Sequence, residues 1–240
     1  MSNIYLLRHG KVNGRAALYG KTDIEVSLKI KNDMLNLLMK NQNKFSHIVT
    51  SPLKRCAELA HEFAKQADKP IDVITNLQEM NFGDYDGLAF DDIPYTDISS
   101  RSNISDDISD NINDKVSKKI NDEAQTWIHL ERFWHNPAEY SLPNAEKLND
   151  FYLRVKNAWQ QLLSDYTDEN ILLVTHGGVI RMILAQVLGL DWKNEKLFNQ
   201  LHIANATLTQ LSNVSCNHKP YLKVHAIALP LCALNADEQL

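Results

Sequence analysis

Cysteine, glycine and positive charge are all scarce in this chain, and each shortage narrows what it can be. Its three cysteines, Cys56, Cys216 and Cys232, form no C-x-x-C pair. That argues against a zinc knuckle or a disulfide framework and predicts reduced thiols in a cytoplasmic protein. The eight glycines build neither a G-x-G-x-x-G fingerprint nor a P-loop, which disfavours a nucleotide-binding regulator. Acidic residues outnumber Lys and Arg by 30 to 25, for a net charge of −5 and a pI near 6.0, so no long-range field favours nucleic acid or an anionic membrane. No apolar run reaches membrane-spanning length. A cleaved leader is not expected either, because the first apolar strand starts at about Asn3. His129 and His135 lack H-E-x-x-H spacing, so neither metal nor cofactor is expected.

What the chain does have is 240 residues at 44% hydrophobic composition, enough for a full core. The expected organisation is one domain over residues 1–228, with an insertion at about 90–125 and a mobile tail over 229–240. The stretch Ile4-Tyr5-Leu6-Leu7-Arg8-His9-Gly10 runs from an apolar strand directly into arginine, histidine and glycine. By itself this is equally an ordinary strand end reaching solvent. The segment from Asn170 to Gly178 repeats the design, with His176 and Gly177 after the strand. A third short strand, in the stretch Phe45 to Pro52, leads to a helix start, which predicts Ser51 as a helix N-cap, Pro52 as the first helical residue and Arg55 in the first turn. If these strands are parallel, His9, Arg55 and His176 meet at one carboxyl edge, where open α/β sheets bind ligands.

Helices are expected over Leu28 to Asn41, after Pro52, from Asn144 to Tyr166 and from Val179 to Leu188. Further strands are expected at Ile71 to Ile74, Ala206 to Leu211 and Tyr221 to Ile227. The alternation predicts an α/β protein, a three-layer α/β/α sandwich around a mostly parallel sheet. In the insertion, Ile104, Ile108, Ile112, Val116 and Ile120 recur every four residues, as in an amphipathic lid helix, yet the composition also suits a disordered loop. Trp127, Trp134 and Trp159 read as core, His47 and His61 as surface, and Asp84 and Asp86 as turn residues.

Two arginines, two histidines and a carboxylate suit phosphoryl transfer. Arginine binds phosphate oxygens in a planar fork. A neutral His9 can attack phosphorus if its other nitrogen donates to a carbonyl. A protonated His176 would add a further donor. The leaving alkoxide needs an acid, and Glu79, Asp84 and Asp86 are the candidates.

Leu7-Arg8-His9-Gly10, Ser51-Pro52-Leu53-Lys54-Arg55, Leu77-Gln78-Glu79 with Phe82-Gly83, and Thr175-His176-Gly177-Gly178 resemble, in order and spacing, the motifs of the histidine phosphatase superfamily. The resemblance implies a phosphoglycerate mutase-like fold, His9 as phospho-acceptor and Glu79 as proton donor. It further implies a phosphate pocket of Arg8, His9, Arg55, His176, Asn13 and Gly177. Lys11 departs from the family's usual glutamate, and Asn13 is displaced from the usual asparagine position. Tyr19 to Asp23 and Leu142 to Glu146 are similar to the α-ribazole phosphatase branch of cobalamin assembly, although Asn144 and Ala145 replace glycines there. A phosphatase acting on a small phosphorylated substrate is therefore expected, as a monomer or homodimer. A cofactor-dependent phosphoglycerate mutase is the alternative, and an inactive phosphate-binding module is the third reading.

Overall fold

Tyr5 and Leu7 point to one side of the first strand, Ile4 and Leu6 to the other, and all four are buried. A strand buried on both faces needs helices on both faces. The computed structural model, which describes residues 2–93, 127–216 and 219–234, supplies them. Its six-stranded sheet comprises β1 (Ser2–Arg8), β2 (His47–Thr50), β3 (Ile71–Val73), β4 (Ile171–Thr175), β5 (Thr207–Cys216) and β6 (Lys219–Pro230), ordered β3-β2-β4-β1-β5-β6. The first four pair in parallel, and β5 and β6 add antiparallel to β1.

On one face lie α1 (Leu28–Lys40) and α2 (Lys54–Ala67), packing Leu38, Cys56 and Phe63 under Tyr5, Ile48 and Val174. On the other lie a helix over 127–135 (α3), α4 (Leu148–Asp165) and α5 (Gly177–Leu188), with Phe151, Trp159 and Ile183 against Leu6, Val49 and Leu173. The sandwich has the expected three layers. A short α6 (Lys196–Asn199) precedes β5. α1 leads from β1 to one face and α5 from β4 to the other, so a crevice opens beyond the carboxyl ends of these adjacent strands.

Several expectations need correction. α2 starts at Lys54, with Leu53 as its cap residue and no side-chain cap bond, so Ser51 and Pro52 lie outside the helix. The long helix starts at Leu148 because Asn144 sits in a left-handed turn, with φ of 55°, and donates its amide to Asp84. The tail begins packed: Leu231 and Leu234 are buried. Residues 235–240 and the Ile104–Ile120 stripe lie outside the described residues. No helix among the described residues is long and apolar enough to cross a membrane.

Candidate active site

β1 and β4 are in register with Arg8 opposite Thr175, so the next residue of each strand, His9 and His176, emerges side by side. Their rings are 5.3 Å apart between centroids. His9 Nδ1 lies 2.8 Å from its neighbour's carbonyl, Gly10 O. A carbonyl only accepts, so Nδ1 carries the proton and Nε2 keeps its lone pair. Burial, reinforced by the nearby Arg55 cation, pushes the His9 pKa down to about 3, although the bond to Gly10 opposes it. The ring is therefore neutral and orientated, with Nε2 unprotonated, at physiological pH.

His176 is fully buried, and its pKa lies well below the ordinary histidine range through desolvation and then Arg55. This corrects the expected protonated imidazole. Arg55 Nε donates to His176 Nδ1 at 3.2 Å, so Nε2 bears the hydrogen and donates to Ser51 Oγ at 2.7 Å. Ser51, expected to cap a helix, instead fixes a histidine.

The two predicted arginines occupy different surroundings. Arg55 is 2% exposed, and its remaining donors go to Thr22 O at 2.9 Å, Tyr19 O at 3.0 Å and Gly20 O at 2.7 Å. Asp86 holds the other side of that loop, accepting from the backbone of Lys21 and Thr22 at 2.8 Å each. Desolvation works against it, but these bonds and those from the Thr22 side chain and Phe82 keep its carboxyl below the usual range. Arg8 donates Nη1 to Ile203 O, while its buried Nε has no partner among the described residues. An unpaired buried donor of this kind is a standing demand for an anion.

Arg8, His9 and Glu79 border a cavity of about 860 Å³. Glu79 Oε2 accepts from Gly178 N at 3.0 Å and Oε1 from Met80 N at 3.1 Å. A Cβ at position 178 would collide with Glu79 Oε1, so a side chain there would have to displace that carboxylate. A Cβ at Gly177 would lie 3.3 Å from the Arg8 guanidinium. Asn13 is not brought to the cavity, since its backbone bonds Glu25 and its side chain is exposed; Arg55, His176 and Gly177, all buried, are not among the lining residues either. Trp134, expected in the core, is half-buried and lines the cavity wall, whereas Trp159 is core as expected. His47 is not an ordinary surface residue but sits between Asp72 at 2.7 Å and Glu169 at 3.4 Å. Among the described residues no group of His, Cys, Asp and Glu is arranged to hold a metal.

The family Histidine phosphatase superfamily (branch 1) matches residues 4–111 and 110–220. The chain belongs to this superfamily. Among curated relatives it is 25% identical to a putative phosphoserine phosphatase 2 of Hydrogenobacter thermophilus, over 88% of this chain and 89% of that one. It is 22% identical to the adenosylcobalamin/alpha-ribazole phosphatase of Escherichia coli, over 78% and 79%. Among solved structures, a mycobacterial glucosyl-3-phosphoglycerate phosphatase superposes with a TM-score of 0.69 at 19% identity, covering 96% of this chain and all of the other. That likeness is one of fold.

In this superfamily member, three residues that the sequence reading passed over shape the site. Asn205 donates its amide to the carbonyls of His9 at 3.1 Å and Gly10 at 3.4 Å, holding the very carbonyl that fixes the His9 ring. Arg154, on α4, grips the Glu79 loop through the carbonyls of Asn76, Gln78 and Glu79 at 2.8–2.9 Å and pairs with Glu146 at 2.6 Å. Arg181, one turn into α5, lines the cavity with Arg8. Only Arg181 had a local signal, its spacing of one helical turn from Gly177. The other two act across 195 and 75 positions of sequence, and nothing local announces them.

Proposed function

We propose that the protein is a phosphatase that hydrolyses a small phosphomonoester through a phosphohistidine intermediate. The observation that carries this is the 2.8 Å bond from His9 Nδ1 to Gly10 O, which leaves Nε2 as a neutral nucleophile beside the unpaired Arg8 Nε. Nε2 attacks phosphorus and the ester P–O bond breaks. Glu79 delivers a proton to the departing alkoxide oxygen. Water then attacks phospho-His9, the P–N bond breaks, Glu79 takes the water's proton, and inorganic phosphate leaves. Arg8 and the amide end of α5 stabilise charge on the transferring group.

α-Ribazole 5′-phosphate is a candidate substrate, supported by the Tyr19–Asp23 stretch and by the relative bearing that activity in its name. Phosphoserine and glucosyl-3-phosphoglycerate stand beside it, from the names of two other relatives. Phosphoglycerate mutase activity through the same intermediate is the alternative, supported by a probable phosphoglycerate mutase among the relatives. Quenched reactions with labelled p-nitrophenyl phosphate should trap an acid-labile, base-stable phosphoenzyme in the wild type and none in His9→Ala. Labelling that survives in His9→Ala removes the assignment. Interconversion of 2- and 3-phosphoglycerate outpacing phosphate release from every ester decides for the mutase.

A further inference from the structure

The charge lining the cavity is the reverse of the protein's. Among the described residues Glu79 is the one acidic lining residue, against Arg8, Lys11, Arg15 and Arg181. Arg15 is answered from outside the cavity by Asp92, with which it forms an ion pair. Among the described lining residues, Arg8, Lys11 and Arg181 then face Glu79 alone. Once Glu79 holds the proton it must deliver, those three cations meet a substrate whose phosphoryl group brings two negative charges. One positive charge is left to be matched.

Arg181 is held so that it can match it. Its Nε and Nη2 both donate to Leu201 O, at 3.2 and 2.9 Å, which locks the plane of the guanidinium. Nη1 has no partner among the described residues. Nη1 lies 3.1 Å from where a Cβ on Gly177 would stand, and the Arg8 guanidinium lies 3.3 Å from the same point. The two guanidiniums thus flank one glycine at the start of α5, and the absence of a side chain there leaves room for both. Burial lowers the pKa of each arginine while Glu79 opposes, and Arg181 is pushed down further by Arg8. Two like charges held this close in a half-buried wall are stabilised by an anion reaching both.

We infer that Arg181, with Lys11 at the cavity mouth, forms a second anion subsite, so that the preferred substrates are phosphomonoesters of hydroxy acids, whose carboxylate Arg181 binds while Arg8 takes the phosphoryl group. This rests on the phosphatase reading and goes beyond it by naming the substrate class. It places α-ribazole 5′-phosphate, which has no second acidic group, behind the carboxylated esters.

The test is phosphate release from 3-phosphoglycerate and from glycerol 3-phosphate, which differ in carboxylate against hydroxymethyl. The wild type should favour 3-phosphoglycerate by at least about tenfold in kcat/KM, and Arg181→Met should lower that ratio at least about tenfold, as expected for loss of a charged hydrogen-bonding partner. Arg181→Lys, which keeps the charge without the fork, should lower it at least about threefold and decides the matter if the methionine variant does not fold. A wild-type ratio near one, or a ratio that survives both substitutions, overturns the inference while leaving the phosphatase reading in place. No phosphate release from these esters or from p-nitrophenyl phosphate overturns both.

Discussion

Ser51 accepts a hydrogen bond from His176 Nε2 at 2.7 Å, although 125 positions separate them in sequence. Both are fully buried. With Arg55 occupying Nδ1 from the opposite side, the serine hydroxyl completes the fixing of the ring. Ser51→Ala would strand a buried N–H, at a cost of about 1–3 kcal/mol. We expect a lower melting temperature and a lower kcat for p-nitrophenyl phosphate. Unchanged stability in Ser51→Ala would show that the bond is dispensable.

The two arginines should separate by the property they control. Arg8 has a donor to spare, and Arg8→Met should lower kcat by about a hundred- to a thousandfold, the usual loss for a donor aimed at transition-state charge. Arg55 has its donors committed to three loop carbonyls and His176, so Arg55→Met should in addition destabilise the fold by at least about 2 kcal/mol. Denaturant titrations of the two variants would read the difference, and equal midpoints would contradict it.

Arg154 and Glu79 should share a leaving-group signature. Glu79→Gln removes the acid, so alkyl phosphates should suffer far more than p-nitrophenyl phosphate, whose leaving group needs little protonation. Arg154→Met loosens the loop that presents Glu79 and should show the same discrimination in milder form. A uniform loss on both ester types would assign Arg154 to stability alone.

Acid should act on stability before it acts on the nucleophile. His9 titrates near 6.5 in the unfolded chain and at about 3 in the folded one. Between those values the unfolded state binds the extra proton, so stability falls as pH is lowered, by up to about 1.4 kcal/mol per pH unit for that group. His176 is shifted in the same direction. Melting temperature should therefore decline from pH 7 to pH 5, and less so in His9→Gln. Over the same range kcat/KM for p-nitrophenyl phosphate should show no acid limb near 6.5 from His9, and such a limb would mean that the ring is protonated in the free enzyme.

The strands and helices were legible because each carries its own period. The continuous apolar run Ile4-Tyr5-Leu6-Leu7, bounded by Gly10, reads as a strand buried on both faces, and the stripe from Phe151 through Val155 and Trp159 to Leu162 reads as a helix. The motifs around Arg8, His9, Glu79 and His176 were legible too, because each sits at a strand end or in a glycine-bounded loop. Other features were decided only when the chain folded. Ser51 looked like a cap because local chemistry allows it, and a buried imidazole made a stronger claim on the hydroxyl. Asn205 and Arg154 carry no local signal, since their polar side chains find their partners through space rather than along the chain. The protonation states are likewise collective: His9 and His176 are neutral because the sheet buries them and Arg55 lies nearby. Sequence determined which residues reach the carboxyl edge of the sheet. Packing around that edge decided what each of them bonds to, because hydrogen bonds and desolvation depend on neighbours that a linear order does not specify.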